Sequence, residues 1–157
     1  MPAQRPLLSG TVPSRPLPTP TPETQAYWDA CQQHRLTLQR CLDCEGKPAY
    51  FYPRPFCPVC LSRNVESFEA SGRATLHTYV IAHRGSHGFE NKVPYVIAIV
   101  ELEEGPRMMT NVVAVDPAPE HLPVGLQLQV TWEDHEQDEG DGRTRQVSLP
   151  MFRPAAS

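Results

Sequence analysis

The sequence predicts a mainly β protein in which an N-terminal helix and a small metal-bound unit precede a five-stranded barrel. Two Cys-x-x-Cys pairs lie close together in the first half of the chain, and five strand-like segments follow them. Turn residues separate these segments and no helix-length connection lies between them, which favours a small barrel over a parallel sheet. We expect a Pro-rich disordered arm at 1–21, a helical segment at 22–37, the metal-bound unit at 38–69 and the barrel at 70–154.

The arm is defined by its prolines. Seven of the 18 prolines lie in the first 22 residues, where there is no acidic residue and no apolar period. Such a stretch cannot bury enough apolar surface to offset the entropy lost on ordering. It is either a plain extended tail or an arm that becomes ordered on a partner.

Helix signals begin where the arm ends. Thr21 can cap a helix and Pro22 suits its first position. No glycine or proline follows before Leu36, so we expect a helix of about three turns from Glu23 to about Leu36. One side of this helix carries Tyr27, Trp28 and Cys31. The aromatic stripe either packs in the core or walls a ligand groove.

Four cysteines have the spacing of a metal site: Cys41, Cys44, Cys57 and Cys60. Two cysteines three apart on a tight turn direct both sulfurs at one ion, and a second such pair completes a tetrahedron. The all-sulfur shell favours zinc, with iron as second choice, and four protein ligands indicate a structural site. The alternative is a set of redox dithiols. Cys31 is left over, and we expect a buried small hydrophobic residue rather than a nucleophile.

The predicted barrel strands are 76–83, 95–102, 108–115, 126–132 and 145–151. In the first strand, period-two alternation predicts one face with Leu76, Val80 and Ala82, and an opposite face with His77, Tyr79, Ile81 and His83. The residues predicted to point inward from the last two strands are Leu126, Leu128, Val130, Trp132, Val147, Leu149 and Met151. We expect the acidic run Glu133–Gly142 to be a solvated hairpin tip.

One basic, glycine-containing patch follows the first predicted strand. Its residues are His77, His83, Arg84, His87, Phe89 and Lys92. Glycines permit a close approach and an arginine supplies a forked donor, so the patch can bind a phosphorylated or carboxylated ligand. The alternative is an ordinary solvated loop.

Composition disfavours two broad classes of function. The 14 Lys and Arg residues face 18 Asp and Glu, a net charge of −4, which disfavours general nucleic-acid binding. The longest apolar stretch, Val93–Val100, falls short of the about 20 residues that a membrane-spanning helix needs. The N-terminus offers only Leu7-Leu8 where a secretory signal needs a longer apolar run. We therefore expect a cytoplasmic protein that does not contact a membrane.

The order of the motifs resembles a known family. An aromatic Tyr27-Trp28 helix precedes Arg40-Cys41-x-x-Cys44 and Phe51-Tyr52-Pro53-Arg54-Pro55-x-Cys57-Pro58-x-Cys60. Later motifs are Val93-Pro94-Tyr95, Glu101-Leu102-x-Glu-Gly105-Pro106 and Leu149-Pro150-x-Phe152. From about Pro22 to Pro154 the chain is similar to the family called domain of unknown function 35. The resemblance implies N-terminal helices, a rubredoxin-like zinc ribbon and a five-stranded OB-fold barrel.

The resemblance also implies a role. Members of that family are non-catalytic partners of thiolase-like enzymes, including sterol side-chain aldolases and acyl-transfer complexes, and bind or relay coenzyme A thioesters. We expect an accessory subunit in lipid metabolism that binds zinc and acyl-CoA, with a thiolase-like partner and a hydratase in a hetero-oligomer. The expected ligand-binding residues are Tyr27, Trp28, His77, Tyr79, His83, Arg84, Phe89 and Lys92. Of these, Arg84 and Lys92 are expected to meet the phosphates.

Two other classes stay open at this point. OB-folds and zinc ribbons also bind nucleic acids, although the outward residues of strand 126–132 are Gln127, Gln129 and Thr131 rather than aromatic and basic ones. A stand-alone thioesterase would use His83 or His87 as a base, but no nucleophile or triad motif accompanies them.

Overall fold

The computed structural model describes residues 15–156 and confirms the predicted fold class. One helix, α1 (Gln25–Gln32), precedes a three-stranded sheet and a closed five-stranded barrel. The sheet consists of β1 (Thr37–Cys41), β2 (Ala49–Tyr50) and β3 (Val65–Glu69). The barrel consists of β4 (Arg73–Ala82), β5 (Tyr95–Leu102), β6 (Arg107–Val112), β7 (Gln127–Asp138) and β8 (Thr144–Pro154). A 3₁₀ turn, Pro119–His121, connects β6 to β7.

Helix α1 is shorter than its glycine- and proline-free sequence predicts. It ends at Gln32 because His34 adopts a positive φ of 56°. The backbone N–H of His34 donates to the carbonyl of Cys31, at 2.8 Å, and the ring of His34 stacks on Trp132 of β7. A tertiary contact therefore holds the left-handed residue that terminates the helix.

The barrel closes in the order β4-β5-β6-β8-β7. Every neighbouring pair is antiparallel except β6 and β8, which meet in parallel at Val112 and Phe152. Strand β5 buries alternate residues (Val96, Ala98, Val100 and Leu102), while its other face is half-buried. That second face is apolar except for Glu101, and its residues Tyr95 and Ile97 contribute to the groove described below.

The predicted faces of the first barrel strand are wrong in its second half. The β4–β5 register shifts between Leu76 and Thr78, which leaves His77 in a bulge. Leu76 is buried, but beyond the bulge Val80 is 60% exposed and Tyr79 and Ile81 pack against the core. One extra residue on a strand reverses every later side chain, and the sequence pattern does not show it.

The acidic run is mostly strand rather than a solvated tip. Strands β7 and β8 pair from Leu128 with Pro154 to Asp138 with Thr144, so only 139–143 form the turn. The inward prediction for β8 is also wrong, because Val147, Leu149 and Met151 pack against Leu17, Trp28 and Val113 in a second cluster. The β8 residue in the main core is Phe152, which is fully buried.

The main core joins the helix, the small sheet and the barrel. Tyr27, Leu36 and Leu38 belong to the same buried cluster as Leu76 and Phe152. Each fully buried leucine stabilises the fold by about 1.5–3 kcal/mol. The shared cluster makes the small sheet and the barrel one packed unit.

Part of the predicted arm lies against the barrel. Residues 1–14 lie outside the described part of the chain, so the prediction of disorder stays untested there. Leu17 packs on β8, and the carbonyl of Pro18 accepts a hydrogen bond from Arg145, at 2.8 Å. Residues 15–18 are therefore fixed by contacts that the composition alone does not reveal.

Within 15–156, no helix is long and apolar enough to cross a bilayer.

Candidate metal centre and ligand groove

The four cysteine sulfurs lie together at one end of the small sheet. All four Sγ atoms are within 4.8 Å of one another, with Cys41 and Cys60 at 3.5 Å and Cys44 and Cys57 at 3.8 Å. These separations exceed a disulfide bond of about 2 Å, and all four cysteines are free. Four thiolates around one zinc, each about 2.3 Å from it, would stand about 3.8 Å apart.

Tight turns direct the sulfurs inward. Gly46 and Lys47 after the first pair have φ values of 72° and 43°, and Leu61 after the second pair has 62°. The N–H of Leu61 donates to the carbonyl of Cys57, at 3.1 Å, which closes the second turn. The N–H groups of Cys60 and Val59 lower the pKa of the Cys57 thiol to about 7. In the same cluster, hydrogen bonds with Cys60 and Cys41 raise the pKa of the Cys44 thiol to about 12, so the metal-free thiols share their protons unevenly and a bound metal would have to displace them.

Asp43 links the two turns directly. Its carboxylate accepts hydrogen bonds from Ser62 and from the Asn64 amide, the latter at 2.6 Å. These two donors lower the pKa of Asp43. The contact orients the turns independently of any ion, so the site has both the ligand set and the support that a four-sulfur metal centre requires.

A groove of about 510 Å³ lies between α1, the segment after β2 and the outside of the barrel. Its apolar lining falls into three groups. The first is an aromatic cluster of Tyr27, Trp28, Phe51 and Tyr52, in which the Tyr27 ring lies 5.0–5.7 Å from the other three. The second is the Phe89–Tyr95 pair, with centroids 5.2 Å apart. The third comprises Ile97, Met108, Met109, Leu149 and Met151.

Three cationic or titratable side chains meet one carboxylate oxygen near this groove. Oε1 of Glu133 lies 2.7 Å from His135 Nε2, 3.3 Å from Arg15 and 3.5 Å from Lys92. Burial by itself would raise the pKa of Glu133, but the His135 hydrogen bond and the charges of Lys92 and Arg15 lower it. Arg15 also lines the groove and lies over the Phe89 ring, 5.0 Å from its centroid. We call these four residues the Glu133 cluster.

The structure brings some of the predicted ligand residues together and not others. Tyr27, Trp28 and Phe89 line the groove, and Lys92 adjoins it through the Glu133 cluster. The predicted residues that do not line the groove are His77, Tyr79, His83 and Arg84. Tyr79 packs against the core, while His83 and Arg84 lie exposed after the end of β4.

Sequence reasoning missed several groove residues. Phe51 and Tyr52 belong to the motif that precedes Cys57, but nothing in the sequence placed them beside α1. Arg15 was assigned to the disordered arm because its neighbours are prolines. Met109 is 68% exposed, and only the barrel topology places it beside Tyr95 and Ile97.

Comparison with known proteins agrees with this architecture. Residues 28–66 match the family model described as "ChsH2, rubredoxin-like zinc ribbon domain", and 68–133 match "ChsH2, C-terminal OB-fold domain". A "DUF35 domain-containing scaffold protein" of Methanocaldococcus jannaschii is 36% identical over 112 residues, which cover 71% of this chain and 77% of that protein. The chain belongs to the DUF35 scaffold family. The fold and family that the motifs implied are therefore confirmed.

Two further similar proteins have names that refer to enzymes. A solved structure titled "Ltp2-ChsH2(DUF35) aldolase" has a chain 34% identical to this protein, with a TM-score of 0.70, covering 88% of this chain and 99% of that one. A protein of Thermomonospora curvata called "Probable enoyl-CoA hydratase alpha subunit" is 35% identical over 142 residues, or 90% of this chain. The chain spans only 40% of the length of that relative.

Proposed function

We propose that this chain is a non-catalytic scaffold subunit that holds one structural zinc, binds an acyl-CoA thioester and docks on a thiolase-like enzyme. The observation that carries the proposal is the apolar groove between α1, the ribbon and the barrel. Membership of the DUF35 scaffold family and the likeness to an aldolase-associated ChsH2 chain support the partner. The relative named as a hydratase subunit supports a second enzyme in the same complex.

The zinc has a structural role in this proposal. The residues that would hold it are Cys41, Cys44, Cys57 and Cys60. Four protein thiolates leave no open position for water or substrate, so the ion stabilises the two turns and does no chemistry. The soft sulfur donors favour zinc over iron as the bound metal.

The groove suits the long, thin arm of an acyl-CoA. Its volume lies within the range of about 300–1,000 Å³ typical of small-molecule sites, and its lining is mainly aromatic and methionine. Methionine side chains adapt their shape, which suits acyl groups of different form. Tyr27 and Trp28 combine the two roles that the sequence left open, because they pack in the fold and also line the groove.

The rival functions have weaker support. A single-strand binder needs a basic groove that follows several successive phosphates, whereas the chain has a net charge of −4 and Val80, Ile97 and Met109 on the outside of β4–β6 are uncharged. For a thioesterase, His83 and His87 would need an oriented nucleophile. Both histidines are exposed, and the side chain that His87 contacts is Glu90, at 3.6 Å.

A charged substitution in the groove tests whether the groove binds the acyl-CoA. Met109→Glu places a carboxylate among apolar side chains, and we expect octanoyl-CoA affinity to fall by about tenfold or more. Titration calorimetry on the full zinc-loaded chain measures it. Val124→Glu is the matched control, because Val124 is equally exposed, at 72%, but outside the groove lining. Undetectable binding by the unmodified chain, or equal losses in both variants, would contradict the proposal.

The partner half is tested by co-purification from native extract. We expect a thiolase-fold enzyme to be recovered with the tagged full chain and identified by mass spectrometry. Calorimetry of the recovered complex then shows whether the partner strengthens octanoyl-CoA binding. Recovery of the chain without any thiolase-fold protein would sink this half of the proposal.

A further inference from the structure

The Glu133 cluster carries more positive charge than its one carboxylate balances. Arg15 and Lys92 are both charged at neutral pH and both contact the same oxygen of Glu133. The cluster therefore has a net positive charge before His135 is counted. In addition, Nε of Arg15 is buried and has no hydrogen-bond partner within the described residues. An unsatisfied buried donor beside surplus positive charge is the environment that an anionic group favours.

The fold positions these cations at the groove. Two turns shape the loop before β5, since the N–H of Phe89 donates to Ser86 and the N–H of Lys92 donates to Phe89, at 2.8 and 3.0 Å. Phe89 and Ser86 line the groove, and Lys92 comes three positions after Phe89, so it lies next to the rim of the groove. The guanidinium of Arg15 lies over the Phe89 ring, which fixes it beside the same rim.

We propose that Arg15 and Lys92 form a phosphate-binding subsite for the phosphorylated end of the groove ligand. Glu133 and His135 are positioning residues that hold the two cations in place. This inference rests on the proposed function, and it names which part of the ligand is recognised and where. The guanidinium offers a forked pair of donors and the ammonium a compact charge, which together suit a pyrophosphate or phosphomonoester.

The subsite keeps Lys92 and replaces Arg84 of the pair that the sequence predicts to meet the phosphates. Arg84 was expected to meet the phosphates, yet it is exposed and does not line the groove. Arg15 lies 69 positions earlier in the chain and reaches the groove because residues 15–18 lie along the barrel. The charged end of the ligand is therefore expected to lie beside Phe89.

Paired probes with and without phosphates test the subsite. Octanoyl-CoA and S-octanoyl-pantetheine share the thin arm and the acyl group, but only the first carries phosphates. We expect the unmodified full chain to bind octanoyl-CoA more tightly. Arg15→Gln and Lys92→Gln should each reduce octanoyl-CoA affinity about tenfold while leaving octanoyl-pantetheine affinity unchanged. Arg84→Gln is the matched control and should change neither.

Each other outcome has a defined meaning. Equal binding of the two probes by the unmodified chain would overturn the subsite and leave the proposed function standing. Unchanged octanoyl-CoA binding in a variant that combines Arg15→Gln and Lys92→Gln would do the same. Failure of both probes to bind would overturn the two together. If a variant does not fold, the salt dependence of the unmodified chain decides: the advantage of octanoyl-CoA must shrink as salt rises, and an unchanged advantage would overturn the subsite.

Discussion

At the residue scale, the five cysteines show how position decides the chemistry of one side chain. Cys31 is fully buried in the main core, and burial raises the pKa of its thiol to about 12. The predicted burial of Cys31 is therefore confirmed, and a raised thiol pKa is consistent with a small hydrophobic residue rather than a nucleophile. Cys60 is exposed, yet its sulfur lies 3.5 Å from that of Cys41. Solvent exposure alone would therefore not identify Cys60 as a member of the cysteine cluster.

Two alanine substitutions separate these roles. Cys60→Ala removes one of four metal ligands, so we expect the zinc content to fall below half an equivalent. Cys31→Ala should keep a full equivalent but lower the free energy of unfolding by about 1–2 kcal/mol, because it leaves a small core cavity. Metal analysis and denaturant unfolding measure the two effects. Loss of metal in Cys31→Ala would place that residue in the site and contradict the assignment.

At the element scale, contacts between elements decide where several of them begin, end and face. The stack of His34 on Trp132 ends α1, the bulge at His77 turns the second half of β4, and pairing with β8 extends β7 through the acidic run. Glu133 on β7 joins the N-terminal segment to the loop before β5 through Arg15 and Lys92. Such links act across elements that the sequence separates widely.

The Glu133 link gives a pH-dependent contribution to stability. Because the folded state lowers the pKa of Glu133 below its ordinary value of 4.5, the carboxylate stabilises the fold above that value. The stabilisation is lost as the pH falls through the lowered pKa. We expect Glu133→Gln to lower the melting temperature at pH 7, and the difference from the unmodified chain to shrink below about pH 4.5.

Thermal unfolding between pH 7 and pH 3 measures that difference, and any acid release of metal affects both proteins alike. Glu120→Gln, an exposed change on the 3₁₀ turn, is the control and should give no pH-dependent difference. A Glu133→Gln difference that stays constant across the range would contradict the assigned role.

At the scale of the whole molecule, the small sheet is stabilised from two sides. Leu38 of β1 and the preceding Leu36 belong to the core that the sheet shares with the barrel. Its outer turns depend on the four sulfurs and on Asp43. A segment of this size has too little core of its own, so the barrel contributes to its stability and a metal ion held by the four sulfurs would add to it.

Metal removal should therefore affect the entire chain. We expect chelation to lower the melting temperature by at least about 10 °C, because a structural zinc contributes several kcal/mol of folding free energy. The shared core predicts one cooperative transition before and after chelation, measured by differential scanning calorimetry. A purified chain that carries less than half an equivalent of zinc and iron together, yet melts at the same temperature as the fully metal-loaded chain, would contradict the structural role.

The sequence alone determined the features that depend on neighbouring residues. Cys-x-x-Cys spacing identified the four cysteines whose sulfurs lie together, since a tight turn brings such a pair together wherever it occurs. Local alternation identified five strands, and the order of motifs identified the family and with it the fold. The first two signals are local and the third is an order along the chain, so none of them required knowledge of which strands pair.

Only the tertiary structure decided the groove and its charged rim. Trp28, Tyr52, Phe89 and Met109 come from the helix, the ribbon and two parts of the barrel, and they meet because the barrel closes. Arg15 joins them because residues 15–18 lie along β8, a contact that no local pattern encodes. Side chains distant in sequence become neighbours through strand order and register, and one bulge in β4 was enough to turn Tyr79 away from the face that alternation had assigned to it.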